Sequence, residues 1–336
     1  MLNAWIQRLK SGESFTRDEM TAAIDVMMRG ESSTEETGAF LLALKAKGET
    51  IDEIAGAALA LRQHMTPIHT SRSGVVDTCG TGGVGSTLFN ISTTAALVAA
   101  ACGVPVAKHG NRSVTSKSGS ADVLAALGVN INAPAATVER CLDELGICFC
   151  FAPMQHPAMK HVAAVRKALG VPTIFNLLGP LCNPAGAKLQ LMGVGRHELR
   201  PILAQVLASL GTEHAVVITG DDGLGEITLA TGTQVTEVRG GTLRSLAWQP
   251  SDFGIAPQSI ESLSVADPAA SAARIRQVLA GELGPARDIV LLNAAAALWT
   301  AGKNSTLAGC AELAAAAIDR GAARELLAKL AALSQC

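Results

Sequence analysis

The chain has 336 residues, with 27 Lys and Arg against 29 Asp and Glu, for a net charge of -2 at pH 7. A hydrophobic share of 49% against 17% charged residues excludes a disordered chain, and the length suits two lobes around a sizeable core. The near-neutral balance, the lack of tyrosine and an aromatic share of 3% exclude a basic polyanion binder and a base-stacking platform, so no nucleic-acid partner is expected.

Residues 1 to 70 read as helices only. Three starts carry Ser or Thr followed three residues later by Glu, the capping-box pattern: Thr16 to Glu19, Ser32 to Glu35 and Thr50 to Glu53. Helical apolar spacing follows the first and last, as Ile24, Met27 and Met28, and as Ile54, Ala58 and Leu61, with Gly30 and Gly48 as stops. From Val75 the texture changes to short apolar runs alternating with helical segments. Strands are expected at Val75 to Asp77, Val104 to Ala107, Val129 to Ile131, Ile147 to Phe151, His214 to Thr219 and Glu226 to Leu229, and a helix over Ser92 to Cys102. This alternation predicts an α/β fold, a small all-helical lobe plus a large lobe with a central, mainly parallel sheet flanked by helices. Residues 155 to 185 are again helical and are expected to pack on the first lobe, leaving 71–154 and 186–336 as the large lobe.

The start, Met1-Leu-Asn-Ala-Trp5, shows no basic stretch leading into an apolar one, and no run approaches the roughly 18 apolar residues of a membrane span. The eight cysteines lie mostly in apolar stretches without CxxC or Cys/His metal spacing, and Cys148 and Cys150 share one face of an expected strand. We therefore expect reduced thiols, a cytoplasmic location and no membrane partner.

Two motifs carry chemistry. The first is Asp77-Thr-Cys-Gly80-Thr81-Gly82-Gly83-Val84-Gly85-Ser86, followed by Asn90-Ile91-Ser92-Thr93 at a helix start. Glycines admit an anion close to the backbone, and a helix N-terminus presents unpaired N–H groups. The spacing is neither the dinucleotide fingerprint nor a P-loop, and a tight strand-to-helix turn is the plainer reading of the loop alone. The second is Lys108-His109-Gly110-Asn111-Arg112-Ser113-Val114-Thr115-Ser116, where two cations and three hydroxyls follow a strand. Ligands of open α/β sheets bind at that end, so a phosphate pocket stands beside a solvated loop as its reading. His109 alone does not read as a general base.

Together, Gly80-Thr-Gly-Gly83, Asn90-Ile-Ser-Thr93 and Lys108-His-Gly-Asn-Arg112 resemble the anthranilate phosphoribosyltransferase family. The likeness continues through Phe151-Ala-Pro153, His156-Pro157, Val165-Arg166, Phe175-Asn-Leu-Leu-Gly-Pro-Leu181 and Asn183-Pro184, across nearly the whole chain. It implies transfer of a phosphoribosyl group from phosphoribosyl pyrophosphate to anthranilate in tryptophan biosynthesis. It also implies magnesium as cofactor and a homodimer through the helical lobes. By position, Gly80, Thr81, Gly82, Gly83, Asn90, Ser92, Thr93 and Lys108 would hold phosphoribosyl pyrophosphate, and Asn111 and Arg166 would meet anthranilate. Without the likeness, Arg166 reads as a surface residue. Ser86, Thr87, His109, Ser116 and Ser120 complete the candidate substrate contacts, and Ser92 and Glu226 are the candidate metal ligands.

The sequence departs from the family pattern at two carboxylates. The Gly-rich loop has Val84 where the family continues with Asp, and the later Asp-Glu pair stands as Gly225-Glu226. Glu226 and Ser92 with the substrate's phosphates are expected to hold the metal. A catalytically weakened or non-catalytic homologue is the alternative, as is a nucleoside phosphorylase of the same fold. Arg166 and the Phe175 to Leu181 segment favour the transferase.

Overall fold

A computed structural model describes residues 2–82, 87–113 and 116–336. Four helices open the chain: α1 (Asn3–Lys10), α2 (Arg17–Met28), α3 (Thr34–Lys47) and α4 (Ile51–Gln63). The capping boxes at Thr16 and Thr50 form as the sequence predicts. The middle one forms one residue later than expected, with Ser33 accepting from the Glu36 N–H at 3.2 Å. Ser32 instead bonds the Thr37 hydroxyl at 2.8 Å. The helix thus begins at Thr34, which turns Phe40, Leu41 and Leu44 into the core.

The large lobe follows as β1 (Val76–Gly80), α5 (Ile91–Ala101), β2 (Val106–Gly110), α6 (Ser120–Ala126), α7 (Ala135–Arg140) and β3 (Ile147–Phe151). Next come the short α8 (Ala152–Gln155), α9 (Lys160–Leu169) and α10 (Phe175–Leu178), then β4 (Leu189–Gly193), α11 (Leu199–Ser209) and β5 (His214–Gly220). The chain ends with β6 (Thr233–Arg239), β7 (Thr242–Trp248), α12 (Pro268–Leu279), α13 (Pro285–Thr300), α14 (Leu307–Asp319) and α15 (Ala322–Leu333). The seven strands form one sheet in the order β3-β2-β1-β4-β5-β6-β7, with the first five parallel and the last two antiparallel.

Two expected strands are loops. Val129 and Ile131 are buried, but Gly128 at φ +94° turns the chain, and the Asn130 N–H bonds the Ser334 hydroxyl at 2.9 Å rather than a neighbouring strand. In Glu226 to Leu229, the Ile227 N–H goes to the Asn293 side chain at 2.9 Å and the Thr228 N–H to the Thr233 hydroxyl at 3.2 Å. These apolar residues plug the core without joining the sheet. The β6–β7 hairpin, unforeseen in the sequence, turns on Gly240 and Gly241, both at positive φ.

Two cores flank the sheet. One face carries α5, α13 and the C-terminal helices. The other carries α11, whose Leu203 and Leu207 join Met192 of β4, Ala215 and Val217 of β5 and the helical lobe in one apolar cluster. Val162 and Val165 of α9 and Phe175 and Leu178 of α10 belong to that cluster too, so both helices pack against the N-terminal bundle. Among the described residues, no helix is long and apolar enough to cross a membrane.

Candidate active site

The motif loops meet where the parallel strands end. Lys108, on β2, is 4% exposed. Its Nζ donates to the Thr78 carbonyl and lies 3.5 Å from the Thr78 hydroxyl and 3.4 Å from the Ser92 hydroxyl. All three partners are neutral oxygens. Burial pushes the Lys108 ammonium below its ordinary range, while the charges of Asp77 and Glu226 oppose that shift. Ser92 lies in the first turn of α5, so the cation sits beside a helix N-terminus, an arrangement suited to a phosphate anion.

Glu226 lines the same pocket as Thr78, Ser92 and Asn293. The Asn293 amide clamps Ile227 through both its N–H and its carbonyl, at 2.9 and 3.0 Å, which fixes the residue after the carboxylate. Burial raises the Glu226 carboxyl to about 7, against the pull of Lys108 and a hydrogen bond from the Ser92 backbone. Among the described residues no three His, Cys, Asp or Glu side chains converge on one point. One carboxylate and one hydroxyl fit a hard cation that takes its remaining oxygens from phosphate and water, and do not make a cage for a free ion.

The glycines have separate tasks. A Cβ on Gly80 would lie 2.7 Å from the Gly193 carbonyl, and Gly82 adopts φ +60°, so the loop leaves β1 by a path other residues resist. Gly83 and Ser86 lie outside the described residues, as does Val84. Thr81 donates its N–H to the Gly193 carbonyl at 3.0 Å, and the Thr87 hydroxyl meets that of Ser264 at 3.0 Å. Thr93 is buried with its hydroxyl unpartnered.

Asn90 is committed to the protein. Its amide donates to the Ser118 carbonyl and its oxygen accepts from the Ser118 and Ser271 hydroxyls at 2.7 and 2.8 Å. It therefore ties the start of α5 to the second loop and to α12. In that loop the Asn111 side chain accepts from the Arg112 N–H at 2.7 Å, the Ser120 hydroxyl bonds the Asn111 carbonyl at 3.3 Å, and the Ser116 carbonyl accepts from the Ser113 hydroxyl. Arg166 stands apart on α9, its guanidinium 5.6 Å over the Phe175 ring. It makes no ion pair with a carboxylate among the described residues, and its partial burial lowers its affinity for its proton.

His109 and the unforeseen His156 form a buried pair, Nε2 to Nε2, at 3.2 Å. The Gly179 carbonyl, 3.0 Å from His109 Nδ1, can only accept, so Nδ1 carries the proton and His109 Nε2 accepts from His156. Burial holds His109 near 3 and His156 near 4, both neutral at working pH and unsuited to general-base catalysis. On unfolding, both rings return to the ordinary value near 6.5 and take up protons. Stability from this pair is therefore fully present above that pH and is lost as pH falls toward 4. His156→Gln should shrink the drop in unfolding midpoint between pH 7 and pH 5; an equal drop in both proteins would contradict the neutral pair. The missed signal was electrostatic: no Asp or Glu occurs between Asp77 and Asp122, or between Glu144 and Glu198, and both segments supply the site.

The helical bundle domain profile of the glycosyl transferase family matches residues 3–65, and its a/b domain profile matches residues 72–324. The chain is 49% identical over 326 residues to the anthranilate phosphoribosyltransferase of Rhodopirellula baltica, covering 97% of this chain and 95% of that one. It is 51% identical over 332 residues to the enzyme of that name from Anaeromyxobacter sp. strain K, covering 99% and 98% of the two chains. The chain belongs to the anthranilate phosphoribosyltransferase family. Among solved family members, that of Thermus thermophilus superposes with a TM-score of 0.92 at 40% identity, over 98% of this chain and 99% of that one. The Saccharomyces cerevisiae member, in complex with phosphoribosyl pyrophosphate and Mg, gives 0.91 at 26% identity, over 99% and 98%.

Proposed function

We propose that this chain carries out the family's reaction: it transfers a phosphoribosyl group from phosphoribosyl pyrophosphate to the amine of anthranilate, giving N-(5-phosphoribosyl)anthranilate and pyrophosphate. The observation that carries this reading is the buried Lys108 ammonium, held beside Ser92 at the start of α5 and within the field of Glu226. A buried cation beside the start of α5, with one carboxylate close by, suits a diphosphate with its counter-ion.

In the reaction the bond from ribose C1 to pyrophosphate oxygen breaks, the anthranilate nitrogen bonds to C1, and the ammonium proton is released. The aromatic amine is already neutral near pH 7, so no strong base is required, which agrees with the neutral His109 and His156. Lys108, with the positive end of the α5 dipole behind it, stabilises negative charge growing on the departing diphosphate. Glu226 and Ser92 would hold a magnesium ion, which supplies further charge neutralisation to that leaving group. Thr81, Thr87, Asn90 and Thr93 shape the phosphate side, and Asn111, Ser116 and Ser120 the second loop.

On the acceptor side, Arg166 offers an unpaired guanidinium to the anthranilate carboxylate, and 4-fluoroanthranilate occupies the yeast relative that shares 25% identity over 99% of this chain. Arg166→Ala should raise the KM for anthranilate about 10–100-fold, the worth of one charged hydrogen bond, with the affinity for phosphoribosyl pyrophosphate unchanged. Steady-state kinetics with each substrate varied in turn checks this, and an unaltered anthranilate KM removes Arg166 from the acceptor site. The proposal extends to a homodimer through the helical lobes and to a cytoplasmic enzyme.

A further inference from the structure

Strands β1 and β2 deliver the two motif loops, yet their backbone pairing is registered only at Val76–Val106. By contrast, β1 with β4 and β2 with β3 each run over five positions. Continuing the parallel register would bring Asp77 against Ala107 and Thr78 against Lys108. Three backbone groups on that path bond side chains instead. The Thr78 carbonyl accepts from Lys108 Nζ, the Ala107 carbonyl accepts from Asn183 Nδ2 at 2.8 Å, and the His109 N–H donates to Asp77 Oδ1 at 3.1 Å. Buried backbone groups that leave a ladder must find new partners, and here each partner is a buried polar side chain.

Asp77 is 0% exposed, with the His109 N–H on one carboxylate oxygen and Asn183 and Cys79 beside it, and burial still pushes its carboxyl up. A carboxylate buried this far, with no ion pair among the described residues, weakens a fold, and an apolar residue at its place in β1 would pack at lower cost. Its presence calls for a reason other than stability.

We propose that Asp77 is a positioning residue for phosphoribosyl transfer, a wedge that holds the ends of β1 and β2 apart. With the His109 N–H taken by Asp77, the Thr78 carbonyl is free for the Lys108 ammonium. The cation is thereby fixed beside the Ser92 hydroxyl, facing the diphosphate pocket. Without the wedge, the His109 N–H returns to the Thr78 carbonyl, the strands close, and Lys108 loses its anchor. Asp77 touches no substrate; it acts through Lys108 and His109. The inference rests on the transferase reading for the identity of the diphosphate.

The test compares Asp77→Asn with Asp77→Ala, reading phosphoribosyl pyrophosphate affinity by calorimetry, kcat by transferase assay and thermal unfolding. Asn keeps the acceptor for the His109 N–H and should stay within about fivefold of the parent in both functional readouts. Ala should lose about 100-fold in affinity and kcat together, the cost of a misplaced charged group, without a lower unfolding midpoint. Parent-like affinity in Asp77→Ala, or equal impairment in Asp77→Asn, overturns the wedge. Should the Ala variant not fold, Asn183→Ala releases the Ala107 carbonyl on the same path and must also weaken binding; unchanged affinity there overturns it equally. If the parent binds phosphoribosyl pyrophosphate but forms no product, the transferase reading fails while the affinities still judge the wedge.

Discussion

Lys108→Ala abolishes tight binding of phosphoribosyl pyrophosphate, with an expected loss of about 100-fold or more in affinity by calorimetry. Several independent features place the effect here. The side chain is 4% exposed, so its ammonium has surrendered most of its hydration and gains correspondingly from an arriving anion. It is held by the Thr78 carbonyl and hydroxyl and by Ser92, so little conformational freedom remains to be lost on binding. No carboxylate within ion-pair distance neutralises it among the described residues, which leaves its charge for the ligand. Its hydrogen-bond partners are neutral, so truncation breaks no direct ion pair, but it removes the cation whose field supports the buried Asp77 and Glu226 carboxylates. The variant should still fold, with its unfolding midpoint lowered by several degrees, roughly 1–2 kcal/mol. Unchanged affinity would remove Lys108 from the site, and a collapsed midpoint would recast it as a structural residue.

The second large effect concerns the metal. Val84→Asp combined with Gly225→Asp should lower the half-saturating magnesium concentration about 10–100-fold, the usual weight of a group supporting a metal site. The geometry at Gly225 permits the exchange. A Cβ there would meet the Gly193 carbonyl carbon and the Val194 and Gly195 nitrogens at 3.4 Å, ordinary contact, and the backbone is not left-handed. Gly193 is different, because a Cβ on it would run into the Gly225 carbonyl. The close backbone approach thus fixes glycine at 193 but not at 225. Glu226, raised to about 7 by burial, is the carboxylate that stands beside Ser92, so near neutrality a proton would compete with a cation for it. A magnesium titration of the rate identical to that of the parent would contradict this division of labour.

How far the sequence foretells the molecule depends on whether a signal is local. Strands β3 and β5 match their apolar runs almost residue for residue, because a buried parallel strand is a continuous apolar stretch. Val129 to Ile131 and Glu226 to Leu229 carry the same pattern and bury the same residue types, but a side chain from a distant helix takes their backbone groups. The β6–β7 hairpin hid behind Thr242 to Trp248, a largely exposed antiparallel edge whose Thr, Arg and Ser dilute the apolar signal. Its Gly240-Gly241 turn was the available cue. In the site, the grouping of Lys108 with Ser92 follows from two motifs at the ends of adjacent strands. The tasks of Asp77, His156 and Asn183 are invisible in isolation, since each rests on one bond to a residue at least 32 positions away. Asn90 reads as a ligand-binding amide, yet its hydrogen bonds brace the start of α5 against the second loop and α12.

Phosphoribosyl transfer to anthranilate is the reaction proposed for this chain, with Val84 and Gly225 at the two positions where carboxylates were expected. Its most direct test mixes the purified protein with anthranilate, phosphoribosyl pyrophosphate and magnesium and follows anthranilate fluorescence, with a chelator control. A chelator-sensitive fall in fluorescence is expected, with one pyrophosphate released per anthranilate consumed. A steady signal from protein that binds phosphoribosyl pyrophosphate would contradict it, leaving a homologue that holds the donor and does not use this acceptor.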